Sequence, residues 1–290
     1  VTLATTRELV AGAVNDKRAV LAFNVITLEH AEGIVAGVER ANAQALLQVS
    51  ENAVHFHGGQ LAPILAACAR LGVASTAPIA IHLDHFQDLA LAERAMDQAA
   101  ELGVSSIMID ASNLGYAQNV QRTLALAQRA HDLGLWVEAE LGTIGGKDGA
   151  HTPGVRTDPG DARDFVRETS VDGLAVAVGS SHAMATQDAR LDLDLIGTLA
   201  AKLPVPLVLH GSSGVDDSTL TSAIRAGIRK VNVGTALNVA FTREIRRFLQ
   251  LNPEITDPRT YLAEGREAVA RAVAHLCVVV DPEHQNGPMQ

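Results

Sequence analysis

Residues 78–112, PIAIHLDHFQDLALAERAMDQAAELGVSSIMIDAS, hold the unit from which the fold is read. A short apolar run (78–83) ends in the polar cluster His82-Leu83-Asp84-His85. An amphipathic stretch, LALAERAMDQAAELG, follows and stops at Gly103, the residue that best tolerates a left-handed helix cap. A second apolar run (105–109) then ends in Asp110 and Ser112. Strand, helix and strand at this spacing make a parallel pair with a right-handed crossover.

The same unit recurs along the whole chain. Further β-rich runs fall at 19–24, 45–50, 136–141, 173–178, 205–210 and 229–233, with helical patterns between them. Eight such units predict an α/β fold, a (β/α)8 barrel of one domain over 1–290, with a doubly wound open sheet as the alternative. Two helical patterns follow the eighth strand, ALNVAFTREIRRFLQL and DPRTYLAEGREAVARAVAHL, one more than the last crossover requires. The surplus helix is expected to cap the barrel or to pack against a second subunit. The tail from Asp281 is expected to fray. The stretch 142–160 is rich in Gly and poor in apolar residues, and reads as a mobile functional loop.

Bulk composition narrows the function. The chain has 290 residues, is 47% hydrophobic and carries a net charge of −10, so it suits neither nucleic acid nor an anionic membrane. Cys68 and Cys277 are not in a paired spacing and read as buried thiols of a reducing cytoplasm. No apolar run reaches the ~18 residues that a membrane span needs.

Barrel chemistry sits at the C-terminal ends of the strands. Here those ends carry Asn24, Ser50, Asp84 with His85, Asp110, Glu140, His182, His210 and Asn232. Of eleven histidines, His30, His55, His57, His131 and His275 fall in helices or loops and read as structural. His85, His182 and His210 end three strands, converge on one mouth, and form a three-imidazole set that leaves a zinc position open. Strict alternation would point His82 and Asp84 one way and Leu83 and His85 the other; a turn at the strand end would bring Asp84 and His85 to one site. His82 reads as a hydrogen-bonding support behind the ligands. Gly211-Ser212-Ser213-Gly214 and Asn232-Val233-Gly234-Thr235 follow strands seven and eight, where barrels bind phosphate through backbone N–H groups.

The motifs AFNV (22–25), HLDH (82–85), SIMIDAS (106–112), VEAELGTIGG (137–146), AVGSSH (177–182), LVLHGSSG (207–214), KVNVGT (230–235) and DPRTYL (257–262) occur in order. Over roughly residues 5–275 the chain resembles the class II ketose-bisphosphate aldolases, the fructose- and tagatose-bisphosphate aldolase family. The resemblance implies zinc held by His85, His182 and His210, with Glu140 a carboxylate near the metal. It implies Asp84 as the general acid/base at the C4 oxygen. Asn24, Ser50 and Asp110 match polar residues of the mouth, and Gly211, Ser213, Asn232, Gly234, Thr235 and Ala183 match the phosphate cradle. The resemblance also admits a sodium or potassium ion near the phosphate, an arginine for the distal phosphate (Arg266 before Arg259), and a homodimer or homotetramer.

Three positions depart from the family pattern. Where a glutamate follows the Gly-Gly pair, this chain reads Gly145-Gly146-Lys147-Asp148; either Asp148 replaces the glutamate with one methylene less, or the glutamate has been deleted. Ala183 stands where glycine is common, and Gly234 where aspartate or alanine is common. The expected reaction is reversible cleavage of a ketose 1,6-bisphosphate to dihydroxyacetone phosphate and an aldehyde. A zinc hydrolase would need a His-x-His pair after strand one, where Asn24-Val25 stands. A non-catalytic phosphosugar sensor has only the altered loop in its favour.

Overall fold

The computed structural model describes residues 2–141, 155–180 and 189–281. Eight parallel strands close on themselves in sequence order. They are β1 (Val20–Asn24), β2 (Ala45–Ser50), β3 (Ile79–Phe86), β4 (Ser106–Ile109), β5 (Trp136–Glu140), β6 (Gly173–Ala175), β7 (Leu207–Leu209) and β8 (Ile228–Val233). β1 closes the barrel by pairing with β8, Ala22 opposite Asn232. The strands fall on the predicted runs; β6 and β7 are the shortest relative to expectation, with three residues each, β6 stopping at Ala175 rather than 178.

Alternation sorts each strand into an outer and an inner face. Outward residues such as Phe23, Leu47, Ile81, Leu83, Ile107 and Val231 join the main core between the sheet and the helices. Inward residues Val20, Ala22, Leu46, Ala80, Met108, Trp136, Ala175 and Val208 form a second, smaller core inside the barrel. That inner core is closed from below by α1 (Thr6–Asn15), which inserts Leu9, Val10 and Ala13. A capping box starts α1: the Thr5 side chain accepts from the Glu8 backbone N–H, and the Glu8 side chain accepts from that of Thr5. Above this apolar floor the inward positions turn polar: Gln48, His82, Ser106, Glu138, His210 and Lys230 are all fully buried.

The remaining helices ring the barrel: α2 (Leu28–Arg40), α3 (Glu51–Phe56), α4 (Ala62–Ala74), α5 (Leu89–Asp97), α6 (Tyr116–Asp132), α7 (Pro159–Thr169), α8 (Leu193–Lys202), α9 (Asp217–Ala226), α10 (Thr235–Leu251) and α11 (Pro258–Val279). The surplus helix α11 packs along α2 and α10. Its seam with α2 depends on Gly33 and Gly37. A Cβ on Gly37 would sit 2.5 Å from the Ala270 carbonyl oxygen, and one on Gly33 would sit 2.7 Å from that of Arg266. None of the described helices is long and apolar enough to cross a membrane.

Candidate active site

The third strand decides the geometry of the site. β3 keeps register with β4 through Leu83 opposite Ile107, then resumes with Phe86 opposite Ile109, so one extra residue bulges out. His85 takes the left-handed conformation there, with φ of 54°. For a non-glycine residue this costs about 1–2 kcal/mol. The bulge cancels the alternation that would have sent His85 to the outer face. Asp84 and His85 therefore both line the mouth, beside Asn24, Ser50, Gln87, Gly211, Ser213, Asn232, Gly234 and Thr235, around a cavity of about 330 Å³.

One ligand atom each from His85, Glu140 and His210 lies within 4.8 Å of the other two. Two imidazoles and a carboxylate form a donor set suited to a zinc ion, and the cluster could bind a metal. Neighbouring groups select which ring nitrogen is available to it. His85 Nδ1–H donates to Asp110 Oδ2 at 2.9 Å, so Nε2 is the nitrogen that could bind a metal. His210 Nε2 lies 2.9 Å from Glu138 Oε1 and 3.0 Å from Asn232 Nδ2; the carboxylate favours the tautomer with the proton on Nε2, which turns Nδ1, 3.9 Å from Glu140 Oε2, towards the cluster. Burial lowers the His210 pKa, with Glu138 opposing, so the ring is biased towards the neutral form that binds metals.

Asp84 is held at both oxygens. Asn24 Nδ2 donates to Oδ2 at 3.1 Å and Asn232 Nδ2 to Oδ1 at 3.3 Å. Behind Asn24, Gln48 Nε2 donates to its Oδ1 at 2.7 Å. Burial alone would raise the Asp84 pKa, but the imidazoles of His85, His210 and His82 and the Lys230 ammonium outweigh it and hold the carboxyl down at about 2. Asp84 is therefore ionised at neutral pH.

Below this shell lies a layer that the sequence did not single out. Glu138 and Lys230 are fully buried and paired, Lys230 Nζ to Glu138 Oε2 at 2.8 Å. Burial would raise the Glu138 pKa, yet Lys230, His210 and His82 hold it well below the usual carboxylate range. His82 takes the supporting place expected of it: Nδ1 meets Ser106 Oγ at 2.8 Å, and Ser106 meets Thr6 of the plug helix at 2.6 Å. Burial, with the Lys230 charge, pushes His82 down to about 3, so it is neutral. The signal for this layer was available: in RKVNV, Lys230 shares the inward face with Asn232.

The phosphate loops meet at the mouth. Gly211, at φ of 65°, opens the 3-10 turn Ser212–Gly214. Ser213 Oγ accepts from the Ala236 backbone N–H at 2.9 Å and ties that turn to the first turn of α10. Gly234 suits its place: a Cβ there would lie 2.8 Å from Asn24 Oδ1.

Two expected site residues lie elsewhere. Asp110 is 1% exposed and does not line the cavity; its oxygens accept from His85, Gln87 and Ser112. Arg266 sits on the outer α2–α11 seam, where its Nη1 pairs with Glu32 at 2.6 Å, away from its own chain's mouth. Arg259 pairs with Asp257 at the start of α11. His182, Ala183 and Asp148 lie outside the described residues.

The model of the class-II fructose-bisphosphate aldolase family matches residues 4–285. The chain belongs to that family. Among solved structures it is similar to the YdjI aldolase from Escherichia coli K12, with 27% identity over 99% of this chain and 100% of that one at a TM-score of 0.81. A protein from Coccidioides immitis, provisionally described as a fructose-1,6-biphosphate aldolase, is 26% identical over 97% and 98% of the two chains, with a TM-score of 0.85. The fold is also that of the fructose-bisphosphate aldolase Fba from Campylobacter jejuni, at 20% identity, 96% and 95% coverage and a TM-score of 0.81. The family makes this chain an aldehyde-lyase, acting by aldol cleavage of a phosphorylated ketose.

Proposed function

We propose that the chain is a zinc-dependent aldolase that reversibly cleaves a ketose 1,6-bisphosphate, of the fructose or tagatose type, to dihydroxyacetone phosphate and an aldehyde. The observation that carries this reading is the convergence of His85, Glu140 and His210 donor atoms within 4.8 Å, beside an ionised Asp84. His85, His210 and His182 would hold the zinc, with Glu140 beside it. When bound, zinc supplies a Lewis acid for the substrate's ketone oxygen.

The chain's own residues do the rest. In cleavage, Asp84 takes the proton of the C4 hydroxyl as the C3–C4 bond breaks; in condensation it returns that proton. Asn24 and Asn232 keep the carboxylate aimed at that oxygen by holding one Asp84 oxygen each. Gly211, Ser213, Gly234 and Thr235 line the same cavity, and the N-terminus of α10 opens onto it with the positive end of its dipole, suited to a phosphate. Asp148 is the candidate for the second proton transfer, at C3 of dihydroxyacetone phosphate.

Steady-state cleavage of fructose and tagatose 1,6-bisphosphates, before and after chelation and zinc restoration, tests the reading. Turnover that is lost to chelator and restored by zinc is the expected result. Absence of zinc-dependent turnover on either sugar would overturn it.

A further inference from the structure

Lys230 is a cation in an unusual place. Its side chain is fully buried inside the barrel, on an inward position of β8, and takes no part in lining the cavity. Removing an ammonium from water is costly, and apolar replacement of such a buried pair is often neutral or stabilising. Stability therefore gives no reason for it, and its contacts supply one.

Lys230 Nζ donates to Asn232 Oδ1 at 2.6 Å and pairs with Glu138 Oε2 at 2.8 Å. An ammonium has three donors and no acceptor, so the amide atom facing it must be the oxygen. That choice fixes the other end of the amide: the Asn232 NH₂ group lies 3.0 Å from His210 Nε2 and 3.3 Å from Asp84 Oδ1, to which it donates. Without Lys230 the flipped amide, whose oxygen could accept from His210 Nε2–H, becomes accessible, and in it that oxygen faces the Asp84 carboxylate. The same ammonium anchors Glu138, whose other oxygen accepts from His210 Nε2–H at 2.9 Å. A single buried charge thus stands behind both the base and one metal-facing imidazole.

We propose that Lys230 is a positioning residue of the aldol centre: it locks the amide of Asn232 so that Asn232 holds Asp84, and it anchors the Glu138 carboxylate that orients His210. The inference rests on Asp84 as the acid/base of the proposed reaction.

The test is a double-mutant cycle on the zinc-loaded full chain, with K230M, N232A, K230M/N232A and D84A assayed on ketose 1,6-bisphosphates. K230M is expected to lose at least about tenfold in kcat, the effect of losing one hydrogen bond to a charged group, with native circular dichroism and unchanged zinc stoichiometry. Because Lys230 acts on Asp84 through Asn232, the loss in K230M/N232A is expected to fall at least about fivefold short of the product of the two single losses. A merely structural role would make the two losses multiply, and that result overturns the inference. So does a K230M kcat within about twofold of the unsubstituted enzyme. If K230M fails to fold, K230M/E138Q replaces the pair with neutral groups of similar size, while the Gln carbonyl still accepts from His210; the same cycle with N232A then decides. D84A separates the two claims: retained turnover in D84A overturns the acid/base reading and this inference with it, whereas loss in D84A with normal K230M overturns the inference alone.

Discussion

Substitution of Asp110 probes how the metal-facing imidazole of His85 is held. The His85 ring sits on a bulge in a left-handed conformation, and its Nδ1–H donates to Asp110 Oδ2 at 2.9 Å in a site where the Asp110 side chain is fully buried. Asp110→Ala removes the carboxylate that accepts from that N–H, and it loosens both ring rotation and tautomer choice. A buried hydrogen bond to a charged group contributes ~1.5–3 kcal/mol, which corresponds to a loss of about 10–150-fold in zinc affinity. Supporting carboxylates behind metal-binding histidines show losses of about 10–100-fold, in the same range. Asp110→Asn keeps the volume and one carbonyl acceptor, so its loss should be smaller, nearer threefold to tenfold by roughly halving that energy. Competition against a chromogenic chelator, with circular dichroism to confirm folding, measures both. An Asp110→Ala protein that folds normally and binds zinc within about twofold of the parent would refute the argument that Asp110 sets the ligating nitrogen.

Further outcomes follow from packing and burial. Gly37→Ala puts a methyl 2.5 Å from the Ala270 carbonyl oxygen and 2.7 Å from Val273 Cβ. Overpacking costs ~1–3 kcal/mol and better helix propensity returns up to ~1 kcal/mol. A net loss of about 1–2 kcal/mol should lower the urea midpoint, and an unchanged or raised midpoint would contradict a tight α2–α11 seam. Burial pushes the Cys68 and Cys277 thiols from 9.0 up to about 12. Their thiolate fraction at pH 8 is correspondingly depleted in the folded state, so iodoacetamide should label them only on unfolding, and rapid native labelling would refute the assigned burial.

The barrel was legible because each strand is a short apolar run that ends in polar residues, and the order of eight such runs leaves little topological choice. Asp84 and His210 were legible for the same reason, since alternation and a strand-end position place them at the mouth. His85 was legible only as a residue type. Its direction depends on a bulge, and nothing in HLDH alone says that β3 takes one extra residue opposite β4. The plug helix carried a signal in Thr5-x-x-Glu8, yet a capping box marks where a helix starts and not what it packs against. Glu138 on β5 and Lys230 on β8 have no sequence neighbour that would reveal them as a pair; only closure of the sheet brings β5 and β8 to a common interior. Arg266 shows the converse limit. Sequence placed it on the right helix, but which face of α11 meets α2 is set by Gly33 and Gly37, and that packing pairs Arg266 with Glu32 on the outside of the barrel.

The central claim is a metal centre assembled by His85, Glu140 and His210 next to Asp84. A crystal structure of the zinc-loaded protein, with anomalous data collected across the zinc edge, tests it most directly. The account predicts one ion within ~2.0–2.1 Å of His85 Nε2 and of His210 Nδ1, with a Glu140 oxygen at or near coordinating distance. An ion bound through the opposite ring nitrogens, or anomalous density away from these three residues, would contradict it.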